Sequence, residues 1–513
     1  MHVSRLITSN VPPTDAELGH VQELVAARED EARQLEEEYR RVQEQLAALK
    51  VRKKAKKKEI SQLQRVSAVI RRVPPELLAE IFVEYVQQAR VVRKTILSKK
   101  CGPRVLTRVC SAWRAIALAT PCIWDEMRFT FPRKASTNPP SYALDELVGR
   151  SAPHPFACFL QSKEQAAERA SPPRYTSHIP VALFGAPGFL TRLRYLSIWV
   201  PATHWAELVK LAPPTFPALE NLRINVKAFD AAQNTLSLLT FFHDVPHLRH
   251  LKVAVPSGAH YRYNDFAPRT LPWSQLHTLD WRCSLDARIV GSILSQALEL
   301  RYCMVTGIRP SPGVPIAADA LPKSTLPHLE DLYLHGLTHI HHPLLQVLTL
   351  PVLRTLDIQN IRSPLGTNPP TNILVPLQER SQFSLTYLSL GVGVDLTEVP
   401  AFLDRNPGIT TLSVADWQNR DLSVHLQLSH ASSDEAVSLP KLRVLAVMGK
   451  NDGVSRFAGD GLQLAWMLSS RIEDFQAAAP WARLESVELR VTGFRFCDEA
   501  EEIFEELAAG GVC

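Results

Sequence analysis

The 513-residue sequence has little glycine relative to proline, since 21 glycines stand against 38 prolines, the reverse of ordinary usage. Proline disfavours long helices and central strands, so the composition favours many short elements joined by rigid turns. The chain also lacks a strong charge bias, because 57 basic and 52 acidic residues leave a net charge of +5. A charge this small over such a length gives no reason to expect nucleic-acid binding.

Long apolar runs and paired cysteines are missing as well. No window approaches 18 uncharged apolar residues, and the first 13 residues contain no apolar core typical of a secretory signal. The eight cysteines are scattered and include no CxxC pair, as is typical of thiols in a reducing compartment. We therefore expect no membrane association, and a protein of the cytoplasm, the nucleus or both.

Signatures of catalysis and of metal binding are also absent. The sequence contains no glycine-rich phosphate loop, no HExxH, no GxSxG and no EF-hand loop. The densest histidine cluster, at His335, His339, His341 and His342, lacks cysteine or carboxylate ligands at coordinating spacing. We therefore expect no enzymatic activity, no cofactor and no metal.

Residues 15–70 predict one long helix with a coiled-coil seam. The segment contains no proline, and 12 of its 16 heptad a and d positions are apolar or alanine. The exceptions are Arg28, Lys53, Lys56 and Ser67. A seam of this length is typical of a coiled coil, so self-association is one expectation. The alternative is a single amphipathic helix that folds back on the rest of the chain.

A basic block occupies residues 52–58, where six of seven residues are Lys or Arg. Such a block is found in nuclear-import signals and in contacts with acidic partners. The alternative is a solvated helix surface balanced by the acidic stretch Glu29–Glu38, and the sequence leaves both open.

A different pattern follows the coil. Pro74 and Pro75 precede Glu76, as at a helix start, and one apolar helix face follows. A basic stretch then runs from Arg90 to Pro103. A second helix is predicted from Val105, continuing through Leu118 until Pro121 stops it. The apolar residues of the two helices are Leu77, Leu78, Ile81, Phe82 and Tyr85, then Leu106, Val109, Cys110 and Trp113.

Three blocks of this segment resemble the F-box motif. They are Val73–Phe82 (VPPELLAEIF), Val109–Arg114 (VCSAWR) and Pro121–Trp124 (PCIW). Val73 replaces the usual opening leucine, and the basic insertion between the helices is longer than in a minimal F-box, as in fungal F-box-like proteins. The resemblance covers about 60 residues, from 65 to 126, and rests on three spaced blocks in order.

The resemblance implies a small three-helix domain that docks an apolar face on a Skp-type adaptor. That adaptor joins F-box proteins to a cullin-RING ubiquitin ligase. A unit this small leaves surplus apolar side chains, which suit a partner. The alternative for each side chain is the core of its own domain. The implied contact residues are Pro74, Pro75, Leu77, Leu78, Ile81, Phe82, Val109 and Trp113.

A phrase of the form h-P-x-L-x-x-L-x-h, with h apolar, recurs in the C-terminal half. Its clearest copies end at Ile198, Ile224, Val253, Leu334, Ile358 and Val447, and weaker ones end at Trp281, Leu390, Val414 and Leu489. Prolines stand at the head of the phrase at positions 217, 246, 327, 351 and 440. The 53-residue gap from Trp281 to Leu334 has room for one degenerate copy near Leu298–Tyr302.

The closing L-x-h predicts a strand, and its recurrence resembles a divergent leucine-rich repeat. The Asn or Cys that usually closes that phrase is missing. Short helices are predicted at Trp205–Leu211, Asn234–Phe242, Leu344–Leu348 and Val399–Asp404. Stacked strands would form a binding face, although most such positions could simply be solvated. The residues on that face are Arg194, Ser197, Arg223, Lys252, Asp331, Tyr333, Asp357, Ser389, Ser413, Ala446 and Glu488.

Together these patterns predict a multidomain chain with an all-α N-terminus followed by an α/β leucine-rich-repeat-like solenoid. The predicted segments are a disordered N-terminus (1–14), a coiled-coil helix (15–70), an F-box-like domain (71–130), a linker with a short helix at Tyr142–Val148 (131–185) and the solenoid (186–513). The implied function is substrate recognition in a Skp-cullin-F-box (SCF) ubiquitin ligase. The alternative is a non-ligase repeat scaffold that dimerises through its coil.

Overall fold

The computed structural model describes residues 7–8, 11–67, 69–91, 102–131, 141–162, 184, 188–201, 214–227, 239, 241–254, 271–309, 321–361, 373–391, 396–415, 420–427, 438–450, 461–472, 482–492 and 498–509. The chain divides into two compact units, residues 1–81 and 82–513. The predicted helix at Trp205–Leu211, most of Asn234–Phe242 and most of the predicted disordered N-terminus lie outside the described residues.

The first unit is dominated by helix α1 (Asp15–Ser67), 53 residues long, which confirms the predicted long helix. A capping box starts it: the Thr14 amide donates to Glu17 Oε2 (2.9 Å) and the Glu17 amide donates to Thr14 Oγ1 (3.4 Å). A short 3-10 helix follows at Val69–Arg72. Helix α2 (Pro75–Val91) begins in this unit and continues into the second.

Two short helices, α3 (Pro103–Leu106) and α4 (Ser111–Leu118), stand where the sequence predicts one helix from Val105. The break lies at Cys110, whose backbone is extended and whose Sγ accepts a hydrogen bond from the Trp113 amide (3.4 Å). Cys110 therefore caps α4 instead of continuing a helix. A 3-10 helix at Pro121–Ile123 follows, and buried Trp124 donates from Nε1 to the Ala117 carbonyl (2.7 Å).

Thirteen parallel strands of the second unit form one sheet, and their spatial order follows the chain. They are β1 (Glu126–Phe131), β2 (Phe156–Ser162), β3 (Leu193–Pro201), β4 (Asn221–Lys227), β5 (His250–Ala254), β6 (Thr278–Asp286), β7 (Tyr302–Arg309), β9 (Asp331–Leu337), β11 (Thr355–Ile361), β12 (Tyr387–Leu390), β13 (Thr411–Ala415), β14 (Val444–Lys450) and β15 (Ser486–Thr492). Strands β8 (Ser324–Thr325) and β10 (Leu348–Thr349) pair separately.

Helices connect many of these strands, as parallel pairing requires a crossover. From α7 onward each helix contacts the next one, which gives a second layer beside the sheet. The structure confirms the predicted helices at Tyr142–Val148 and Val399–Asp404, and it extends the one at Leu344–Leu348 to Thr338–Val347. The helices are α5 (Ser141–Arg150), α6 (Phe189–Arg192), α7 (Ala287–Leu294), α8 (Thr338–Val347), α9 (Leu374–Ser381), α10 (Val399–Asp404), α11 (Arg420–Leu426), α12 (Gly461–Ile472) and α13 (Asp498–Ala509).

The second leucine of the repeated phrase forms one continuous row across the sheet. Neighbouring strands pair these residues directly, and every one of them is buried. Burial of an apolar side chain at each step gives the sheet its core. The row consists of Leu196, Leu222, Leu251, Leu279, Cys303, Leu332, Leu356, Leu388, Leu412, Leu445 and Val487.

The head of the phrase folds into a tight turn, which explains the proline. The amide of the first leucine donates a hydrogen bond to the carbonyl of the apolar residue three positions earlier, which closes a four-residue turn. Proline occupies the second position of this turn. Proline fits there because its φ is already fixed near the turn value. The amide–carbonyl pairs are Leu219–Phe216 (3.3 Å), Leu248–Val245 (3.1 Å), Leu329–Leu326 (3.4 Å), Leu353–Leu350 (3.3 Å) and Leu442–Leu439 (3.2 Å).

The degenerate copy in the 53-residue gap begins slightly later than the sequence predicts. Its strand is β7, which starts at Tyr302, and Cys303 takes the place of the leucine. The Leu300 amide donates to the Ala297 carbonyl (3.2 Å), so the same turn forms without proline.

The sheet also begins earlier than the predicted boundary at residue 186. Strand β1 lies within the segment assigned to the F-box-like domain, and β2 lies within the segment assigned to the linker. Neither strand carries the repeated phrase, so the spacing could not reveal them. Alternate residues of β2, among them Cys158 and Leu160, are nevertheless fully buried.

Two arginines, the buried Arg471 and the exposed Arg380, tie helix ends to their neighbours. Arg471 of α12 donates from Nε to the Leu426 carbonyl and from Nη2 to the Ser438 carbonyl, both at 2.6 Å. Arg380 of α9 donates from Nη2 to the carbonyls of Leu345 (2.6 Å) and Leu348 (2.7 Å). Loss of hydration lowers the pKa of Arg471 to about 10. The carbonyls of Leu426, Leu345 and Leu348 lie at or just beyond the ends of α11 and α8, where helix carbonyls lack partners, and that of Ser438 lies before β14.

Replacing Gly391 by alanine should destabilise the second unit. A Cβ there would lie 2.5 Å from Gln359 Oε1 and 2.8 Å from Gln359 Cα, on the neighbouring strand β11. We expect a loss of about 1–3 kcal/mol in the free energy of unfolding, measured with urea. Gly149→Ala is the matched control, because no atom lies within 4 Å of its Cβ position. Equal stability of the two variants would contradict the close approach of β11 and β12.

Candidate functional site

In the first unit, the start of α2 exposes two of the predicted contact residues. Leu77 and Ile81, four positions apart on one helix face, are 56% and 49% exposed. Pro74 and Pro75 are exposed as well, whereas Leu78 is buried. The predicted residues of this unit therefore separate into an exposed group and one core residue, Leu78.

In the second unit, the other predicted contact residues separate in the same way. Phe82 is buried, and its ring lies 4.9 Å from the half-buried ring of Trp113, measured between centroids. Val109, in the turn between α3 and α4, is 55% exposed. Phe82 therefore belongs to the core of its domain, and Val109 offers an apolar side chain to solvent.

An ion pair holds the end of α2 against the start of the sheet. Arg90 Nη2 pairs with the Asp125 carboxylate and donates to the Cys122 carbonyl (3.2 Å). Burial raises the pKa of Asp125, and the charge of Arg90 opposes that shift. Arg90 thereby joins the end of α2 to the residues that lead into β1 by polar contacts.

The sheet brings most of the predicted strand-face residues into one row. Ser197, Arg223 and Lys252 are direct neighbours on β3, β4 and β5. Arg194 lies before this row, beside Glu220, and Asp331 lies two residues before Tyr333 on the same face. The row continues through Asp280, Met304, Tyr333, Asp357, Ser389, Ser413, Ala446 and Glu488.

Two members of this row, Asp280 and Met304, are absent from the predicted face. Asp280 precedes Trp281 in one of the weaker copies, so its place could have been found from the phrase. Met304 lies on β7, whose copy the sequence places too early. Asp280 is almost fully buried and pairs with Lys252 and with Arg282 Nε (2.8 Å), so the charges of β5 and β6 largely cancel.

Tyrosines and carboxylates cluster at the centre of this face. The rings of Tyr302 and Tyr333 lie 5.3 Å apart, and Asp331 is the direct neighbour of Tyr302 on β9. Asp357 is the direct neighbour of Tyr333 on β11 and accepts a hydrogen bond from Gln359 Nε2 (2.9 Å). Large, partly exposed aromatic rings with polar neighbours are common in protein interfaces.

The tyrosines of this cluster keep their protons at neutral pH. Burial, reinforced by the negative charge of Asp331, raises the pKa of Tyr333 to about 12. Burial also raises the pKa values of Tyr302 and of Tyr387 on β12. The protonated phenols can donate hydrogen bonds, and the Tyr302 hydroxyl donates weakly to Met304 Sδ (3.9 Å). Tyr302, Tyr333, Tyr387, Asp331 and Asp357 are called the tyrosine cluster below.

Within the described residues, no group of three or more His, Cys, Asp or Glu side chains is placed to hold a metal ion. Of the predicted histidine cluster, only the side chain of His335 is among the described ones, 3.7 Å from Asp357 Oδ2. None of the described helices combines the length and apolar composition that a membrane crossing requires.

Comparison with known proteins adds no relative, since neither a family model nor a curated protein matches the chain.

The described cysteines should differ strongly in reactivity. Cys110 is exposed, whereas Cys158, Cys283 and Cys303 are buried. Burial raises the pKa of Cys303 to about 12 and also raises those of Cys158 and Cys283. We expect Cys110 to be alkylated at least about a hundredfold faster at neutral pH than the three buried cysteines. Peptide mass spectrometry of iodoacetamide-treated protein checks this, with unfolded protein as control. Rapid modification of Cys303 in the folded protein would contradict the structure.

Proposed function

We propose that the chain is a substrate-recognition subunit of an SCF-type ubiquitin ligase. Residues 71–130 act as an F-box-like domain that binds a Skp-type adaptor, and the sheet region acts as a divergent leucine-rich-repeat-like solenoid that binds a protein target. The exposure of Leu77 and Ile81 is the observation that carries the proposal.

The separation of apolar residues supports adaptor binding. In the F-box-like segment, Leu78 and Phe82 are buried, while Leu77, Ile81 and Val109 remain exposed. Single exposed apolar residues are ordinary, but Leu77 and Ile81 on one helix face, within a motif that resembles an F-box, suit a protein partner. Of the eight implied contact residues, the exposed ones are the better candidates for adaptor contact, and the buried Leu78 and Phe82 are better explained as core residues.

The order of the strands supports the solenoid. Each strand of the main sheet pairs with its predecessor and successor in the chain, and the same turn precedes most strands from β4 onward. Repetition of one unit along one direction is the organisation of repeat proteins, which bind partners on the strand face. The tyrosine cluster is the strongest candidate for target contacts on that face.

The proposed role requires no catalytic residue, cofactor or metal in this chain. In complexes of this type, ubiquitin is transferred by other subunits. The partners are the Skp-type adaptor, through it a cullin-RING ligase, and a protein target, with no nucleic acid or membrane. The complex would act in the cytoplasm, the nucleus or both.

Changing Leu77 or Ile81 to aspartate should abolish adaptor binding. A charge placed within an apolar interface loses its hydration, so we expect the dissociation constant for a purified Skp-type adaptor to rise more than about tenfold. Isothermal titration of the full chain measures this. Val352→Asp is the matched control, because Val352 is a comparably exposed apolar residue in the turn before β11.

Two outcomes would contradict this proposal. One is a wild-type chain that does not bind the adaptor. The other is equal binding by the Leu77→Asp, Ile81→Asp and Val352→Asp proteins. Circular dichroism and unfolding of each variant distinguish a lost contact from a lost fold.

Removing two rings of the tyrosine cluster should weaken target capture but not adaptor binding. Truncation of large aromatic interface residues commonly reduces affinity more than tenfold. Proximity labelling in cells compares the proteins marked by wild type and by the Tyr302→Ala/Tyr333→Ala variant. The matched control is Ser197→Ala/Arg223→Ala, on the same row of the sheet but on β3 and β4, away from the cluster. Targets retained by the tyrosine variant and lost by the control would contradict the assignment.

A second function is favoured by helix α1, whose apolar seam is exposed. A repeat scaffold that dimerises through this helix and has no ligase role would need the seam but not the exposed Leu77 and Ile81 of α2. Adaptor binding separates the two functions, since only the ligase subunit requires it.

A further inference from the structure

Helix α1 presents a long apolar seam without a described partner. Every a and d side chain from Val25 to Ser67 is exposed, including Leu35 at 66% and Leu63 at 70%. A helix of 53 residues is about 80 Å long. Exposed leucines repeated along such a length are costly in water, so the seam requires a covering partner.

The charges that flank the seam have an inverted symmetry. In the predicted heptad the e positions are acidic before Gln43 and basic after it, at equal distances on either side. The basic block at 52–58 and the acidic stretch Glu29–Glu38 lie on opposite sides of this centre. In order, the e residues are Gln22, Glu29, Glu36, Gln43, Lys50, Lys57 and Gln64.

We propose that α1 pairs in antiparallel orientation with α1 of a second copy of this chain. Antiparallel pairing places e against e and g against g across the two helices, and flanking charges set the orientation of coiled coils. Centred near residue 44, it brings opposite charges together three times on each side of the centre. The pairs between copies are Glu29–Lys57, Glu36–Lys50 and Glu38–Arg52.

The same alignment separates the basic residues of the seam from one another, because each lies opposite an apolar residue or alanine of the second copy. It sets Arg28 opposite Ile60 of the second copy, and it sets Lys53 and Lys56 opposite Leu35 and Ala32. A parallel pair would instead bring each of these three basic residues against its own copy. It would also place Glu31 against Glu36 and Arg52 against Lys57, with no attractive pair at these flanking positions.

One like-charge contact occurs in the antiparallel pair, between Glu31 and Glu59. Each of these carboxylates is already neutralised on its own helix. Arg28 Nη1 pairs with Glu31, and Lys56 Nζ lies 2.8 Å from Glu59 Oε2. The seam residues Arg28 and Lys56 thus bring compensating charge to the contact.

The residues required for pairing between copies are not engaged elsewhere. Outer-face charges form ion pairs along the helix, as between Arg33 and Asp30 and between Arg41 and Glu37. In the part of the chain that the structure describes, no ion pair involves the six residues assigned to the interface, namely Glu29, Glu36, Glu38, Lys50, Arg52 and Lys57.

Isotope-coded cross-linking of the full chain tests the pairing and its orientation. Equal amounts of ¹⁴N- and ¹⁵N-labelled protein are mixed, treated with a zero-length carbodiimide and digested. We expect cross-links of mixed isotope between Glu29 and Lys57 and between Glu36 and Lys50. Sedimentation velocity should give a dimer of about 115 kDa, twice the chain mass of 57.3 kDa.

Charge reversal supplies the second test. The Glu29→Lys/Glu36→Lys/Glu38→Lys variant should raise the dimer dissociation constant at least about tenfold, since every interface pair becomes repulsive. Adding Lys50→Glu/Arg52→Glu/Lys57→Glu to the same chain should restore it. The matched control, Glu23→Lys/Glu37→Lys/Glu44→Lys, makes the same charge change on the outer face and should leave the dimer intact.

A monomer throughout the concentration series would overturn the proposal. So would mixed-isotope cross-links between equally numbered segments, which indicate a parallel pair, or equal weakening by the interface and outer-face variants. Far-ultraviolet circular dichroism confirms that each variant keeps its helix. Adaptor binding is not used as a readout, so failure of the ligase function would leave this test unaffected.

Discussion

The chain of backbone hydrogen bonds between successive turns is the constraint on which the second unit depends. The Arg301 carbonyl accepts from the Glu330 amide (2.9 Å), and the Glu330 carbonyl accepts from the Arg354 amide (2.8 Å). The same bond recurs at the start of each strand of the main sheet from β4 to β15. Because it fixes where each strand begins, it also fixes the register. The buried leucine row, the helix layer and the exposed face all follow from that alignment.

The sequence predicts the repeated part of this arrangement well, because one physical pattern serves three purposes. In Leu326-Pro327-His328-Leu329, the proline suits the turn, the first leucine closes it and the following Leu332 enters the core. The alternation of side chains along each strand also predicts that Tyr333 and Asp357 share the face opposite this core. Helix α1 is equally predictable, since proline is absent and polar helix formers surround its seam.

The sequence does not predict the features that depend on tertiary contacts and not on a local pattern. Strands β1 and β2 have no turn phrase; β1 is held by pairing with β2, and β2 by pairing with β3. The helix break at Cys110 depends on a single cap. In the candidate site, adjacent leucines differ in solvent exposure, since Leu77 is exposed and Leu78 is buried. Helical periodicity identifies a face but does not say which edge of it the neighbouring segments cover.

The correspondence between chain order and spatial order determines how a local change acts on the sheet. Among the described strands, β12 pairs with β11 and β13. A weakened strand therefore acts first on the two strands beside it, and stability can differ from one part of the sheet to another.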